Sequence, residues 1–278
     1  MLLGAHTSTT GGMAQALVRG ADIGCECIQV FVKNNMQWFA KPYQPDELSA
    51  WASEMASGKV KVAFGHAGYL INLAAPEGEN REKSLKSLKM ELDMAGSLGL
   101  PFLVIHPGSH LKAGEEQGIR QIVSGLDTVF AQTDSPTRVA LEVTAGQGCC
   151  LGNKIEHIAM IYEKAQHPER LGLCLDTAHL FEAGYDIRTP EGWNAVLRRV
   201  EELFGLQNLL GMHINDSKSD FGSRVDRHEH IGEGKIGVEA FRTIVNDERL
   251  THIPGALETP KSKDFHEDRE NLALLRSL

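Results

Sequence analysis

Leu171-Gly172-Leu173-Cys174-Leu175-Asp176 runs directly into Thr177-Ala178-His179. The first six residues form an apolar run of strand length. The run ends on a carboxylate, and an imidazole follows three residues later. The same grammar recurs along the chain. Short apolar runs predict strands at Leu2–His6, Cys27–Phe31, Val62–His66, Phe102–His106, Arg138–Glu142, Leu171–Asp176, Leu209–His213 and Ile253–Glu258. The intervening stretches have helical periodicity; in Arg81–Leu98, residues Leu85, Leu88, Leu92 and Ala95 fall at i, i+3 and i+4 spacings. Strands alternating with helices predict a parallel sheet. Eight such units in 278 residues predict closure into a (β/α)8 barrel of the α/β class, a TIM barrel, with an open doubly wound sheet as the alternative. No low-complexity linker divides the chain, so residues 1–278 are expected to form one barrel domain.

The ends of the predicted strands carry the chemistry. The third ends on His66, the fourth on His106, the fifth on Glu142 and the sixth on Asp176; the seventh reaches His213 and the eighth Glu258. In a barrel these ends converge on one face, where active sites sit. Two further motifs enlarge the set: His179, three residues after Asp176, and Asp226-Arg227-His228, whose outer residues point to one side of an extended segment. The nine candidates are five imidazoles and four carboxylates, a donor set suited to zinc, manganese or iron. Nine ligands exceed the coordination of one ion, so two or three ions are implied, some sharing a carboxylate. A single strand-end histidine is more often a capped or core residue. Six successive strand ends with ligand-type side chains are different, because burying them without cations would leave uncompensated charge. Among the remaining histidines, His110, His157, His167, His230, His252 and His266 read as surface or helix residues, and His6 as a group supporting the ligands.

Composition bounds the remaining possibilities. With 42% hydrophobic and 23% charged residues the chain is an ordinary globular protein. It has no apolar run of about 18 residues, so no membrane span is expected. The N-terminus lacks signal-peptide character, so a cytoplasmic location is expected. The five cysteines form no CxxC pair and are expected to be reduced, unreactive thiols. A formal charge of −9 speaks against phosphate contacts unless bound cations belong to the surface that the ligand meets.

Taken in order, the motifs resemble the endonuclease IV family, the metal-dependent apurinic/apyrimidinic endonucleases of base-excision repair, whose barrels are xylose-isomerase-like. The resemblance runs from Gly4-Ala5-His6 with Gly11-Gly12, through Phe31-Val32-Lys33-Asn34 with Gln37-Trp38, to His66-Ala67-Gly68-Tyr69-Leu70-Ile71-Asn72-Leu73. It continues through His106-Pro107-Gly108-Ser109, Glu142 with Thr144-Ala145-Gly146-Gln147-Gly148, and Cys174-Leu175-Asp176-Thr177 with His179 and Ala183-Gly184-Tyr185-Asp186. It closes with His213-Ile214-Asn215-Asp216-Ser217-Lys218, Asp226-Arg227-His228 with Gly232-Glu233-Gly234, and Leu257-Glu258-Thr259-Pro260. The resemblance implies a three-ion site, usually zinc, with manganese or iron possible in part. His66 and His106 would hold the first ion, with Glu142 bridging to the second; Asp176, His213 and Glu258 would complete the second, and His179, Asp226 and His228 would hold the third. Glu142 and Glu258 are the expected catalytic carboxylates.

The implied reaction is hydrolysis of the phosphodiester 5′ to an abasic site in duplex DNA. It gives a 3′-hydroxyl and a 5′-deoxyribose phosphate, with trimming of blocked 3′ ends as a second activity. Three divalent ions would bring the formal −9 to −3 and concentrate positive charge at the site. The loops Asn34-Asn35-Met36-Gln37-Trp38 and Gly68-Tyr69-Leu70 resemble the family's DNA-reading loops, so Asn34, Met36, Tyr69 and Leu70 are expected DNA contacts. Lys218 and Arg227 join them, and Lys33 and Arg224 are further candidates for phosphate contact. Met36 stands where the family often has a basic residue, and Val143 where Asn commonly follows the glutamate. A monomer is expected. The rival reading, a sugar isomerase or epimerase of the xylose-isomerase-like barrels, would use Glu142, Asp176, His213 and Glu258 but has no need of His66, His106, His179, Asp226 and His228 together. A binding protein on a decayed barrel is the non-enzymatic alternative, and the complete ligand set argues against it.

Overall fold

The computed structural model describes residues 1–278. Eight parallel strands close into a barrel in sequential order. They are β1 (Leu2–His6), β2 (Cys27–Phe31), β3 (Val62–His66), β4 (Phe102–Ile105), β5 (Arg138–Glu142), β6 (Leu171–Asp176), β7 (Leu209–His213) and β8 (Pro254–Leu257). β8 pairs with β1, with Ala256 opposite Gly4, which excludes the open sheet. Six strands have the expected bounds, while β4 stops one residue before His106 and β8 is shorter at both ends. Outside the barrel lie α1 (Met13–Asp22), α2 (Pro45–Ala56), α3 (Glu79–Ser97), α4 (Glu115–Phe130), α5 (Ile155–Lys164), α6 (Thr177–Ala183), α7 (Pro190–Phe204), α8 (Val238–Val245) and α9 (His266–Ser277). The periodic stretch read as Arg81–Leu98 is α3, which starts two residues earlier and ends one earlier. No helix is long and apolar enough to cross a membrane.

Local chemistry starts and stops these helices. Pro45 and Pro190 occupy first-turn positions, where a missing N–H costs nothing. Gln44 and Glu47 cap α2 reciprocally, and the Thr189 hydroxyl accepts the Gly192 N–H at 3.1 Å. Gly184 ends α6 in the left-handed conformation that an L-residue side chain resists. A cluster of 62 buried apolar residues fills the space between barrel and helices.

A second, smaller cluster fills the barrel itself: Cys27, Phe64, Phe102, Val104, Ala140, Cys174 and Ala256. Strand side chains alternate between faces, so residues two apart share a side. Phe64 precedes His66 by two, Val104 precedes His106, Ala140 precedes Glu142, Cys174 precedes Asp176 and Ala256 precedes Glu258. Gly211 precedes His213; a Cβ there would meet the Phe102 ring at 2.9 Å, so it faces the same interior. The apolar plug therefore sets which way each strand-end ligand points: inward, above the plug, on one face.

Candidate metal centre

All nine candidate ligands meet at that face. The donor atoms of His66, His106 and Glu142 lie within 4.8 Å of one another, as do those of Glu142, Asp176, His213 and Glu258, and those of Asp176, His179 and His228. Glu142 belongs to two groups, as the bridging role requires. Asp176 also belongs to two, which the expected assignment did not include. Asp226 joins the last group, with Oδ2 at 3.3 Å from His179 Nε2 and Oδ1 at 3.5 Å from His228 Nε2.

The Asp-x-x-His spacing has a local cause. Asp176 is the N-cap of α6, and its Oδ1 accepts the His179 backbone N–H at 3.0 Å. This turns Oδ2 toward His213 Nδ1 at 3.6 Å and His228 Nε2 at 3.5 Å. Strand end and first helical turn thus present their ligands to the same space.

The residues fit divalent ions on two observations. His179 Nε2 and His228 Nε2 are buried with no hydrogen-bond partner, although carboxylate oxygens stand 3.3–3.5 Å away. Two ligand atoms about 2.0–2.1 Å from one tetrahedral ion sit about 3.3 Å apart, so these separations match a shared cation. Glu142 is fully buried, with oxygens 2.9–3.3 Å from ring nitrogens of His66, His106, His179 and His213. Burial alone would raise its pKa; the charges of His213 and His106 and hydrogen bonds from His106 and His179 hold it well below the carboxylate range. Asp226 is held at about 2 against its burial by His179 and His228. Burial opposes protonation of His179, but the surrounding Asp176, Asp226 and Glu142 raise its pKa well above the ordinary imidazole value. Metal binding at such imidazoles must expel protons.

Supporting side chains fix the ligands. The Gln29 amide donates to Glu258 Oε1 at 2.5 Å, its Nε2 lies 2.8 Å from His6 Nδ1, and its carbonyl lies 2.7 Å from His213 Nε2. Asn215 donates to Asp176 Oδ2 at 2.8 Å and accepts the Glu258 N–H at 2.7 Å. Sequence reasoning missed both, although Gln29 stands two residues past inward-facing Cys27, at an expected inward position. His6 is where it was expected, 3.4 Å from Glu258 Oε1. At Val143, only the backbone takes part: its carbonyl lies 3.0 Å from His179 Nδ1.

Two more carboxylates anchor the segment bearing Asp226 and His228. Glu182 Oε1 accepts the Arg227 N–H at 3.1 Å and the Ser217 hydroxyl at 2.7 Å, and burial pushes its pKa up to about 7. Buried Asp216 accepts five backbone N–H groups: Ser217 and Ile236 on Oδ1, and Gly232, Gly234 and Gly237 on Oδ2, at 2.8–3.3 Å. A two-stranded ribbon pairs Asp216–Ser217 with His228–Glu229. Gly234 must be glycine for this wrap, since an added Cβ would lie 2.4 Å from Asp216 Oδ1.

Above the ligands opens a cleft of about 1060 Å³. Asn34, Tyr69 and Arg227 line it, whereas Met36, Leu70 and Lys218 lie outside the lining. Met36 and Tyr69 are 65% and 61% exposed, large apolar surfaces free at the rim. Phe31 packs between His6 and Tyr69, with ring centroids 4.4 and 5.4 Å away. Lys218 is exposed, with Glu229 Oε2 3.5 Å from its ammonium. Lys33 corrects the sequence reading. It is buried and paired with Glu91 at 2.9 Å, so its charge is spent inside the protein rather than offered to phosphate. His157 is in a helix as expected, but buried and packed 3.2 Å from Glu115 Oε2. Cys25, Cys27 and Cys174 are buried, Cys149 and Cys150 half-buried, and all five are free thiols.

Residues 17–278 match the family model described as a xylose isomerase-like TIM barrel. The chain is 47% identical over 276 residues to a protein of Chloroflexus aurantiacus named probable endonuclease 4, covering 99% of this chain and 97% of that one. It is 44% identical over 277 residues to the probable endonuclease 4 of Geobacter sulfurreducens, covering 99% and 94%. Among solved structures, endonuclease IV from Thermus thermophilus superposes with a TM-score of 0.85 at 34% identity, covering 100% of this chain and 98% of that one. A D-tagatose 3-epimerase-like protein superposes at 0.73 with 16% identity, covering 100% and 97%, a likeness of fold alone.

Proposed function

Since the chain belongs to the endonuclease IV family, within the xylose isomerase-like TIM barrels, we propose that it is a DNA-repair endonuclease that hydrolyses the phosphodiester 5′ to abasic sites in duplex DNA. The products would be a 3′-hydroxyl and a 5′-deoxyribose phosphate, and blocked 3′ ends would be trimmed at the same site. The observation that carries this reading is the trio of interlocked donor groups on the cleft floor. A sugar isomerase needs Glu142, Asp176, His213 and Glu258; the additional convergence of His66, His106, His179, Asp226 and His228 serves a reaction with more charge to neutralise. We assign three divalent ions to the groups, zinc foremost with manganese or iron in part, and we take the enzyme to act as a cytoplasmic monomer.

Ions bound there would supply Lewis-acid charge neutralisation and a water acidified enough to be nucleophilic near neutral pH. The chain's own part is placement. Glu142 and Glu258 bring negative charge to the floor, and Gln29 and Asn215 hold the ligands in register. The apolar plug closes the floor from beneath, and Glu142, Asp176 and His213 are buried against it, where charges interact more strongly than in water. Arg227 and Asn34 line the cleft, where they would meet backbone phosphates of a bound duplex. Tyr69, edge-on to Phe31, and exposed Met36 offer wedges to a base step, and an abasic site has the least stacking to lose.

The direct test is a labelled duplex carrying one tetrahydrofuran abasic analogue, with protein of measured metal content. This analogue cannot undergo β-elimination, so cleavage must be hydrolytic. A single cut 5′ to the analogue that leaves an extendable 3′-hydroxyl is the expected result. No cut by protein carrying about three ions would redirect the reading to other phosphoesters, and no cut with one or two would favour sugar isomerisation.

Met36 gives a second test. Met36→Arg adds one rim cation where the wild type has only a wedge. The slope of log affinity against log salt should steepen by about 0.9, the value for one released counterion on duplex DNA. An unchanged slope across a salt titration of binding would mean that position 36 does not meet phosphate.

A further inference from the structure

Helix α3 lies on the outer ring, yet it grips both rim loops. Lys33, at the root of the Asn34–Trp38 loop, places Nζ 2.9 Å from Glu91 Oε1 of α3, and both side chains are 1% exposed. The same ammonium donates to the Gln37 carbonyl at 2.5 Å and to the Asn34 carbonyl at 3.4 Å. The second oxygen of Glu91 accepts the Gly68 N–H, at the root of the Tyr69–Leu70 loop, at 2.9 Å. One turn earlier, the Ser87 hydroxyl donates to the Trp38 carbonyl at 2.7 Å. The loops touch beneath the rim: a Cβ added at Gly68 would lie 2.9 Å from Lys33 Nζ and 3.1 Å from the Asn35 carbonyl.

A buried ion pair adds little to stability compared with apolar residues of equal volume, because desolvation offsets the attraction. This pair does something an apolar pair cannot. Its free proton-bearing and proton-accepting positions are taken up by the backbones of two different loops. We propose that Lys33 and Glu91 are positioning residues for the DNA substrate, fixing the spacing between the Asn34–Trp38 and Gly68–Leu70 loops so that both engage one duplex at once. Neither touches the metal ligands, so the pair governs recognition and leaves the chemical step alone. The inference rests on the DNA reading above.

Glu91→Gln tests it. The amide carbonyl can still accept the Gly68 N–H, but Lys33 loses its counter-charge and its hold. On the tetrahydrofuran duplex, KM should rise about ten-fold or more with kcat within about two-fold of wild type, the pattern of binding lost equally from ground and transition states. Metal content should match wild type. If the single variant does not fold, Lys33→Met with Glu91→Leu removes both charges, and the same KM rise is expected. An unchanged KM in a folded variant, or a fall in kcat at constant KM, would overturn the proposal. Failure of the unmodified chain to cut the duplex would instead overturn the DNA reading on which it stands, and is seen before any variant is made.

Discussion

Glu258→Gln is expected to lower incision of a tetrahydrofuran duplex by about a thousand-fold, equivalent to roughly 4 kcal/mol of barrier. The substitution keeps the shape. Glu258 sits just past β8 with its backbone N–H fixed by Asn215 at 2.7 Å, and Gln29 can donate to an amide carbonyl as it does to the carboxylate oxygen at 2.5 Å. What disappears is a negative charge that His213 and His6 hold in its ionised form against burial. The melting temperature should change by only a few degrees, because no cavity opens and no backbone partner is lost. Turnover on the duplex, alongside metal analysis and calorimetry, checks both halves. Near-normal turnover with a full metal complement would remove Glu258 from the reacting site.

Asp216→Ala should be the most destabilising single change near the site. Five backbone N–H groups converge on its carboxylate in a buried setting. Each donor left without a partner costs about 1 kcal/mol, and some will find water, so a loss of about 3 kcal/mol is expected. In a domain of this size that corresponds to about 6–12 °C in melting temperature. Activity should fall as well, because the ribbon from Asp216–Ser217 to His228–Glu229 carries a ligand of the third group. Calorimetry with amide exchange at residues 232–237 checks this. Unchanged protection there would show that the loop holds itself without the carboxylate.

The barrel was readable because its strands are buried on both faces and so appear as apolar runs bounded by polar residues. Six strand ends carry ligand-type side chains and two adjoining motifs add His179, Asp226 and His228, so closure of the barrel was enough to bring the set of nine to one face. What escaped was of two kinds. Gln29, Asn215, Glu182 and Asp216 are buried polar groups whose residue types are common on any surface; only burial and partners distinguish them. Lys33 was misread for a related reason. Beside Asn34 it reads as a loop cation, and its partner Glu91 lies on another element, so nothing local reveals that its charge is already matched. The double membership of Asp176 likewise depends on the cap that turns Oδ1 toward α6 and Oδ2 toward the ligands.

The two-residue step from plug to ligand has a consequence for how such a chain can diverge. Loops above the barrel can lengthen or shorten without displacing a strand-borne donor, since each donor's direction is set by strand parity. A one-residue deletion between Ala140 and Glu142, or between Cys174 and Asp176, would turn the carboxylate outward into the helix layer and put its C-terminal neighbour, Val143 or Thr177, in its stead. Lineages built on this frame are thus free to remodel the rim, and with it the choice of substrate, while the inner donors can be exchanged only by substitution in place.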